Sequence, residues 1–266
     1  MPVLESLGEL VRYRELVYNL TLRDLTLKYK RSLLGIAWSF LNPLLMMAIY
    51  TVVFSVLLRA VVLPHYWALV LAGVLAWTFF ATSLSTATAA FVRNQHLITK
   101  VHFPLEALPF SMVLAQFVNF VITLVLLLGI LVAGRLPLGP SLILLPVIVL
   151  AELALALGLS ILLATLTVYF RDIEHFTAIA LTAWFYLTPI LYPLDRAALP
   201  HAAANLVPWL ELNPLAWYLE SYHAVLYYGR WPAPGQFVLM LASALVALGG
   251  GYLFFVRLRP RLPEAI

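Results

Sequence analysis

The sequence reads as an all-α, polytopic membrane protein with six transmembrane helices, an N-terminal amphipathic interfacial helix and outer re-entrant helices between spans five and six. Composition is the first reason. Of 266 residues 64% are hydrophobic and only 11% are charged, against about 25% Asp, Glu, Lys and Arg in an ordinary soluble domain. Such a chain cannot build a normal water-facing surface. The second reason is a series of long stretches nearly free of ionisable side chains, each able to cross a hydrocarbon core of about 30 Å. The third is the cations, which gather on one side of those stretches.

Between Arg31 and Arg59 lie 27 residues with no ionisable group, roughly 40 Å of helix and therefore span one. Pro64 and His65 mark a short outer loop before span two, about Tyr66 to Phe91. Span three runs from about Leu108 to Ala133. The segment GRLPLGP, Gly134 to Pro140, then breaks helix with two glycines and two prolines, while Arg135 requires water. Span four follows, about Ser141 to Phe170, interrupted by Glu152 alone. Span five covers about Phe176 to Tyr192 and span six about Phe237 to Val256. Six spans return both termini to one side.

With the N-terminus cytoplasmic, the inner segments carry twelve cations: Arg12, Arg14, Arg23, Lys28, Lys30, Arg31, Arg93, Lys100, Arg171, Arg257, Arg259 and Arg261. The outer segments carry four, Arg59, Arg135, Arg196 and Arg230. The positive-inside rule therefore makes both termini cytoplasmic. The first apolar run begins only after residue 31 and follows Glu5, Glu9, Glu15 and Asp24, which does not fit a cleaved signal peptide. The chain divides into a cytoplasmic amphipathic region (1–31), a transmembrane domain (32–256) whose outer segment is 193–236, and a cytoplasmic tail (257–266). The two halves share no internal repeat, which weighs against an inverted-repeat carrier.

Three segments are not simple spans. From Leu7 to Lys30, the residues Leu7, Leu10, Val11, Val17, Tyr18, Leu22, Leu25 and Tyr29 recur at helical spacing among charges, the pattern of a helix lying at the inner interface. Thr21 with Asp24 resembles a capping box, so a fresh helix start is expected there. The stretch is either a basic anchor for span one or a mechanical element. The inner loop Arg93 to Pro109 can form about two helical turns before Pro104 stops it. It is either a docking element for a soluble partner or an ordinary loop. His96 and His102 lie there, but no carboxylate or cysteine completes a ligand set with them at helical spacing, so no metal site is expected.

The outer segment contains Asn213-Pro214, an N-cap followed by proline at the first helical position, with Gly229 as the stop. The implied helix, Pro214 to Tyr228, has 15 residues, roughly 22 Å and too short to span. It must lie in the interface or dip in and return. Trp209, Trp217, Tyr218, Tyr222, Tyr227, Tyr228 and Trp231 crowd it, either an interfacial belt or a surface on which sugar rings stack.

At depth the strongly polar groups are Glu152 in span four and Gln116 with Asn119 in span three. They are expected either to hydrogen-bond one another between helices or to line a pore. A single buried titratable group is little for a proton-coupled carrier. The sequence contains no GxxxxGK[ST], GxSxG or HExxH and no paired carboxylates on one helix face. It is not expected to hydrolyse ATP by itself. The absence of cysteine removes disulfides, thiolate metal sites and cysteine nucleophiles.

Five stretches carry a resemblance to a known family: RDLTLKYKRSLLGIAWSFLNPLLMMAIYTVVFSVLL (23–58), NQHLITKVHFPLEALP (94–109), VYFRDIEHF (168–176), FYLTPILYP (185–193) and LNPLAWYLESYHAVLYYGRWP (212–232). In this order they resemble the membrane subunit of bacterial ABC exporters for polysaccharides, the type-2 family of O-antigen, capsule and teichoic-acid permeases. The resemblance implies a homodimer of six-span subunits in the bacterial cytoplasmic membrane. Two copies of a separate ATPase would bind ATP and Mg, and the cargo would be a lipid-linked polysaccharide. No cofactor is implied for this chain itself, and no nucleic acid.

It further implies that the N-terminal stretch, with Arg23, Asp24, Lys28 and Tyr29, is a gate helix. Asn94, Gln95, His96, Leu97 and Lys100 fall in the coupling helix, and Trp217 and Tyr222 in the outer re-entrant helices. Arg171 and Asp172 match the family's pair at the inner end of span four, where a plain salt-bridged helix end is the alternative. Tyr50, Phe54, Trp184 and Tyr186 become conduit candidates by position in spans one and five. Two other functions compete. One is a permease of the same fold for a drug or small lipid. The other is a membrane acyl- or glycosyltransferase, in which Glu152 or His223 would have to serve as the catalytic group.

Overall fold

The computed structural model describes residues 8, 12–30, 32–58, 63–100, 103–193 and 207–262. Leu7, Leu10, Val11, Arg31, Arg59, His102 and Arg196 lie outside these, as do parts of the first and last inner segments and of the outer segment. Among the described residues the protein is helical, with no strand. Among the described residues five helices are long and apolar enough to cross a membrane: Gly35–Leu57, Tyr66–Thr88, Ala107–Ala133, Pro140–Tyr169 and Pro234–Arg261.

Helix α1 is Arg14–Tyr29. It runs through Thr21 without a break, so the expected capping box does not form. Thr21 is buried, and its hydroxyl donates back to Val17 O at 2.7 Å, which satisfies the group inside a continuous helix. Helix α2 is Trp38–Thr51, entered by a 3₁₀ turn, Gly35–Ala37, and extended by a π-helical stretch, Val52–Leu57. Helix α3 (Tyr66–Thr88) is the centre of the bundle. Some 78% of its apolar stretch is buried inside the protein, against 6% for the first span. Phe79 stacks on Phe120 at 4.9 Å and Phe80 meets Trp184 edge-on at 5.4 Å.

After α3 come two short helices, α4 (Ala90–Arg93) and α5 (Gln95–Lys100), then α6 (Ala107–Ala133). Arg135 takes φ +53° in the expected turn. A 3₁₀ turn, Pro140–Leu144, leads into α7 (Leu145–Tyr169). Helix α8 (Ile173–Tyr186) has only 14 residues, about 21 Å. It starts earlier than the fifth span expected from the sequence and stops well before Tyr192. Pro189 explains the stop, since it disfavours helix at the preceding residue and lacks an N–H.

After α8 come α9 (Val207–Glu211) and α10 (Pro214–Leu226), followed by α11 (Pro234–Leu258). Helix α10 ends two residues before the expected Tyr228, and Gly229 at φ +62° makes the turn. A side chain there would be strained, and its Cβ would lie 2.1 Å from Pro137 O in the neighbouring outer turn. Helices α7 and α11 pack along their lengths because Gly158 and Gly251 let the backbones touch. A Cβ on Gly251 would lie 2.0 Å from Gly158 O.

Two apolar clusters result. The large one gathers α3, α6, α7 and α10 around Leu69, Leu71, Phe80, Leu127, Ile148 and Tyr218. The smaller one lies near the ends that the charge pattern assigns to the cytoplasm. It joins Leu20 of α1, Phe91 of α4, Leu108 of α6, Ile161 of α7 and Phe255 of α11.

Candidate functional site

Helix α1 docks on α6 through polar groups. Lys28 Nζ donates to Gln116 Oε1 at 2.9 Å, and Tyr29 OH donates to Asn119 Oδ1 at 2.8 Å while touching the Ser39 hydroxyl. The pairing expected among Glu152, Gln116 and Asn119 is therefore not the one that forms. Gln116 and Asn119 lie one turn apart on the α6 face toward α1 and receive the last turn of that helix. Partial desolvation against α6 pulls the Lys28 amine below its usual 10.5, because losing water disfavours the charged form.

Behind this contact lies a cavity of about 460 Å³, lined by Lys28, Tyr29, Ser39, Asn42, Asn119 and Thr82 among others. A second, of about 360 Å³, shares Lys28, Thr82 and Gln116 with it and extends to Asp24, Thr86 and Arg93. Thr78, Thr82 and Thr86 recur every four residues and so share one face of α3. Thr82 donates to Thr78 O and Thr86 to Thr82 O, both at 2.6 Å. That stripe is legible in the sequence as a threonine every fourth residue. Asp24 accepts from Arg23 at 3.0 Å, an adjacent pair that stays within α1.

The inner loop forms the expected short helix. Asn94 ends α4 by donating from Nδ2 to Ala90 O at 2.8 Å, and its own carbonyl accepts from Leu97 N at 2.9 Å. Gln95, His96 and Lys100 are exposed, while Leu97 is half-buried. Arg171 and Asp172 are both exposed at the start of α8 and make no ion pair with each other. Glu174, two residues on and not singled out from sequence, pairs instead with Arg93 at 2.6 Å. No group of His, Asp or Glu among the described residues could hold a metal ion.

Glu152 is fully buried in α7, where Tyr222 OH donates to its Oε2 at 2.7 Å. Tyr222 is itself 1% exposed. Tyr222 and Trp217 share α10, but five residues, about 1.4 turns, separate them and they face different surroundings. Trp217 is half-buried and donates to Glu211 O at 2.7 Å. Of the aromatic residues crowding this segment, Trp209 and Trp231 are exposed. Neither Glu152 nor His223, also buried, lines either of the two cavities.

Asn213 does more than cap. Its Oδ1 accepts from Leu215 N at 3.1 Å and from Trp184 Nε1 at 2.8 Å, while its Nδ2 donates to Leu187 O and Thr188 Oγ1. The outer helix is thereby fastened to the end of α8. Of the four conduit candidates, Trp184 is held inside by this bond, Tyr50 packs against Phe185 at 5.7 Å, Phe54 is half-buried and Tyr186 is exposed.

A multi-pass helical bundle, with an N-terminal helix docked on α6, a short helix between α4 and α6 and a capped helix before α11, defines a membrane-embedded protein. Residues 15–227 match the family described as ABC-2 type transporter, and the chain belongs to that family as its membrane subunit. It is 36% identical to an O-antigen export system permease protein of Myxococcus xanthus, over 97% of this chain and 98% of that protein. A protein of the same description from Klebsiella pneumoniae is 33% identical over 76% of each chain.

Proposed function

We propose that this chain is the transmembrane subunit of an ATP-driven exporter that moves a lipid-linked polysaccharide across the bacterial cytoplasmic membrane, most closely of the O-antigen type. The observation that carries this reading is the near-full-length similarity to an O-antigen export permease, 36% over 97% of the chain. Capsule and teichoic-acid polymers are the related cargoes.

In this reading two copies of the chain and two ATPase subunits form the exporter, and ATP and Mg are held by the ATPases. Six spans result when α8 and the turn after it count as the fifth, with both termini cytoplasmic. The dimer is supported by the first span, whose Leu45, Ile49, Val52 and Val56 are exposed, together with Ile179 and Tyr186 of α8. An apolar face of this kind meets lipid or a second copy.

ATP binding draws the partner subunits together. The stroke enters through Gln95–Lys100 and through α1, and the α2 and α8 helices of the two copies shift to admit the glycan. Tyr50, Phe54 and Tyr186 offer rings toward it. Each stacking contact contributes only about 0.5–1.5 kcal/mol, so a sliding chain meets no deep trap.

The purified chain is expected to hydrolyse no ATP, whereas its complex with the partner ATPase does, and expression of both in a permease-deleted strain should restore surface glycan. ATP turnover by the chain alone, or an active complex that moves a small lipid and no glycan, overturns the proposal. Single cysteines at Trp209 and Trp231 should label only from outside the cell; labelling from the cytoplasm would remove the six-span arrangement.

A further inference from the structure

Arg93 closes α4 one residue before Asn94, and its Nη2 donates to Glu174 Oε1 in the first turn of α8 at 2.6 Å. How the rest of the inner loop is held gives this bond its meaning. Ala90 and Phe91 before the coupling helix, and Leu105 and Leu108 after it, sit in the smaller apolar cluster with Ile161, Ala164, Tyr252 and Phe255. At the loop's exit Glu106, fully buried, lies 3.6 Å from Arg259. Both ends of the loop are therefore packed onto α7 and α11, and follow them. Helix α8 contributes no described residue to that cluster. It packs instead on α3 and α7.

We propose that Arg93 and Glu174 are a positioning pair for transport, the bond through which displacement of the coupling segment reaches the inner end of α8. The charges are well placed for it. Arg93 stands on a four-residue helix seated by Phe91, and Glu174 on the first turn of a helix, so each side chain moves with its backbone. The pair is charge-assisted and directional, yet exposed, at 58% and 42%. An exposed ion pair is too weak to act as a structural staple. Its loss should spare folding and impair coordination. This rests on the proposal that Gln95–Lys100 receives the ATPase stroke.

The test uses the full complex in inverted membrane vesicles from the producing strain, loaded with that strain's own lipid-linked glycan. Glycan transported per ATP hydrolysed is the readout, since a merely structural defect would lower both together. Arg93→Ala, Glu174→Ala and the pair Arg93→Cys with Glu174→Cys should each lower the ratio about threefold to tenfold, with normal membrane levels and ATP hydrolysis. Because the chain has no native cysteine, the two new thiols are the only pair within it that a short bis-maleimide can bridge, and bridging should return the ratio to within about twofold of wild type. A wild-type ratio in the single variants overturns the proposal, and so does a bridged pair, verified by peptide mass, that stays as poor as the unbridged one. Wild-type vesicles that hydrolyse ATP and move no glycan would instead overturn the reading of the chain's function.

Discussion

Tyr222 of the outer helix donates its phenolic hydrogen to Glu152 at 2.7 Å, in the interior of the bundle and 70 residues away in sequence. The bond ties α10 to α7 at a depth where water cannot replace either partner. It gives Glu152 a structural role in place of the catalytic one that a transferase would need.

Tyr222→Phe strips the carboxylate of this donor and should cost about 1–3 kcal/mol. Replacing both partners with Glu152→Met and Tyr222→Phe should cost less than the sum of the two single changes, because no orphaned polar group remains. Thermal inactivation of the purified complex for the two single variants and the double measures it; strict additivity would mean that the two side chains do not interact.

Asn213→Ala should loosen the outer helix and the end of α8 together. The cap itself accounts for about 1 kcal/mol, and the bonds from Trp184 and to Leu187 and Thr188 are lost with it. Trp184 fluorescence, read in a variant whose other tryptophans are phenylalanine, should shift on mutation. An unchanged spectrum would leave Asn213 a cap alone.

Leu97→Pro removes a backbone donor, the one bonded to Asn94 O, and should break the six-residue α5 helix at about 3 kcal/mol or more. The spans are untouched, so membrane insertion should be normal while export falls and ATP hydrolysis persists. Full export by this variant would remove the helix from the coupling path.

Tyr29→Phe should free the last turn of α1 from Asn119, and trypsin cleavage after Lys30 should quicken about threefold to fivefold, the yield of losing one hydrogen bond of about 1 kcal/mol. Lys28 adds a dependence on pH. Its pKa is lowered in the folded protein, so between that value and 10.5 the unfolded chain binds more protons and stability from this group rises with pH. Relative to Lys28→Met, wild type should gain thermal stability as pH rises into that window; a loss would mean that the amine stays charged when docked.

Local chemistry made much of this protein legible in its sequence. The long apolar runs, the turn at Arg135, the Asn213-Pro214 start and the Gly229 stop each depend on residues within one or two turns, so the helices they bound were readable. The short helix Gln95–Lys100 was readable for the same reason. Pro189 carries the same kind of local signal, and it sets the end of α8.

Partner choice was decided only by tertiary structure. Which polar group meets which depends on the depth and rotation of whole helices, and these follow from close packing such as that of Gly158 against Gly251, which no window of sequence contains. So Gln116 and Asn119 met α1 instead of Glu152, Tyr222 turned inward while Trp217 did not, and Arg93 found Glu174 across 81 residues. Hydrophobicity sets that a helix crosses the membrane and roughly where; packing of helix on helix sets what its polar residues touch.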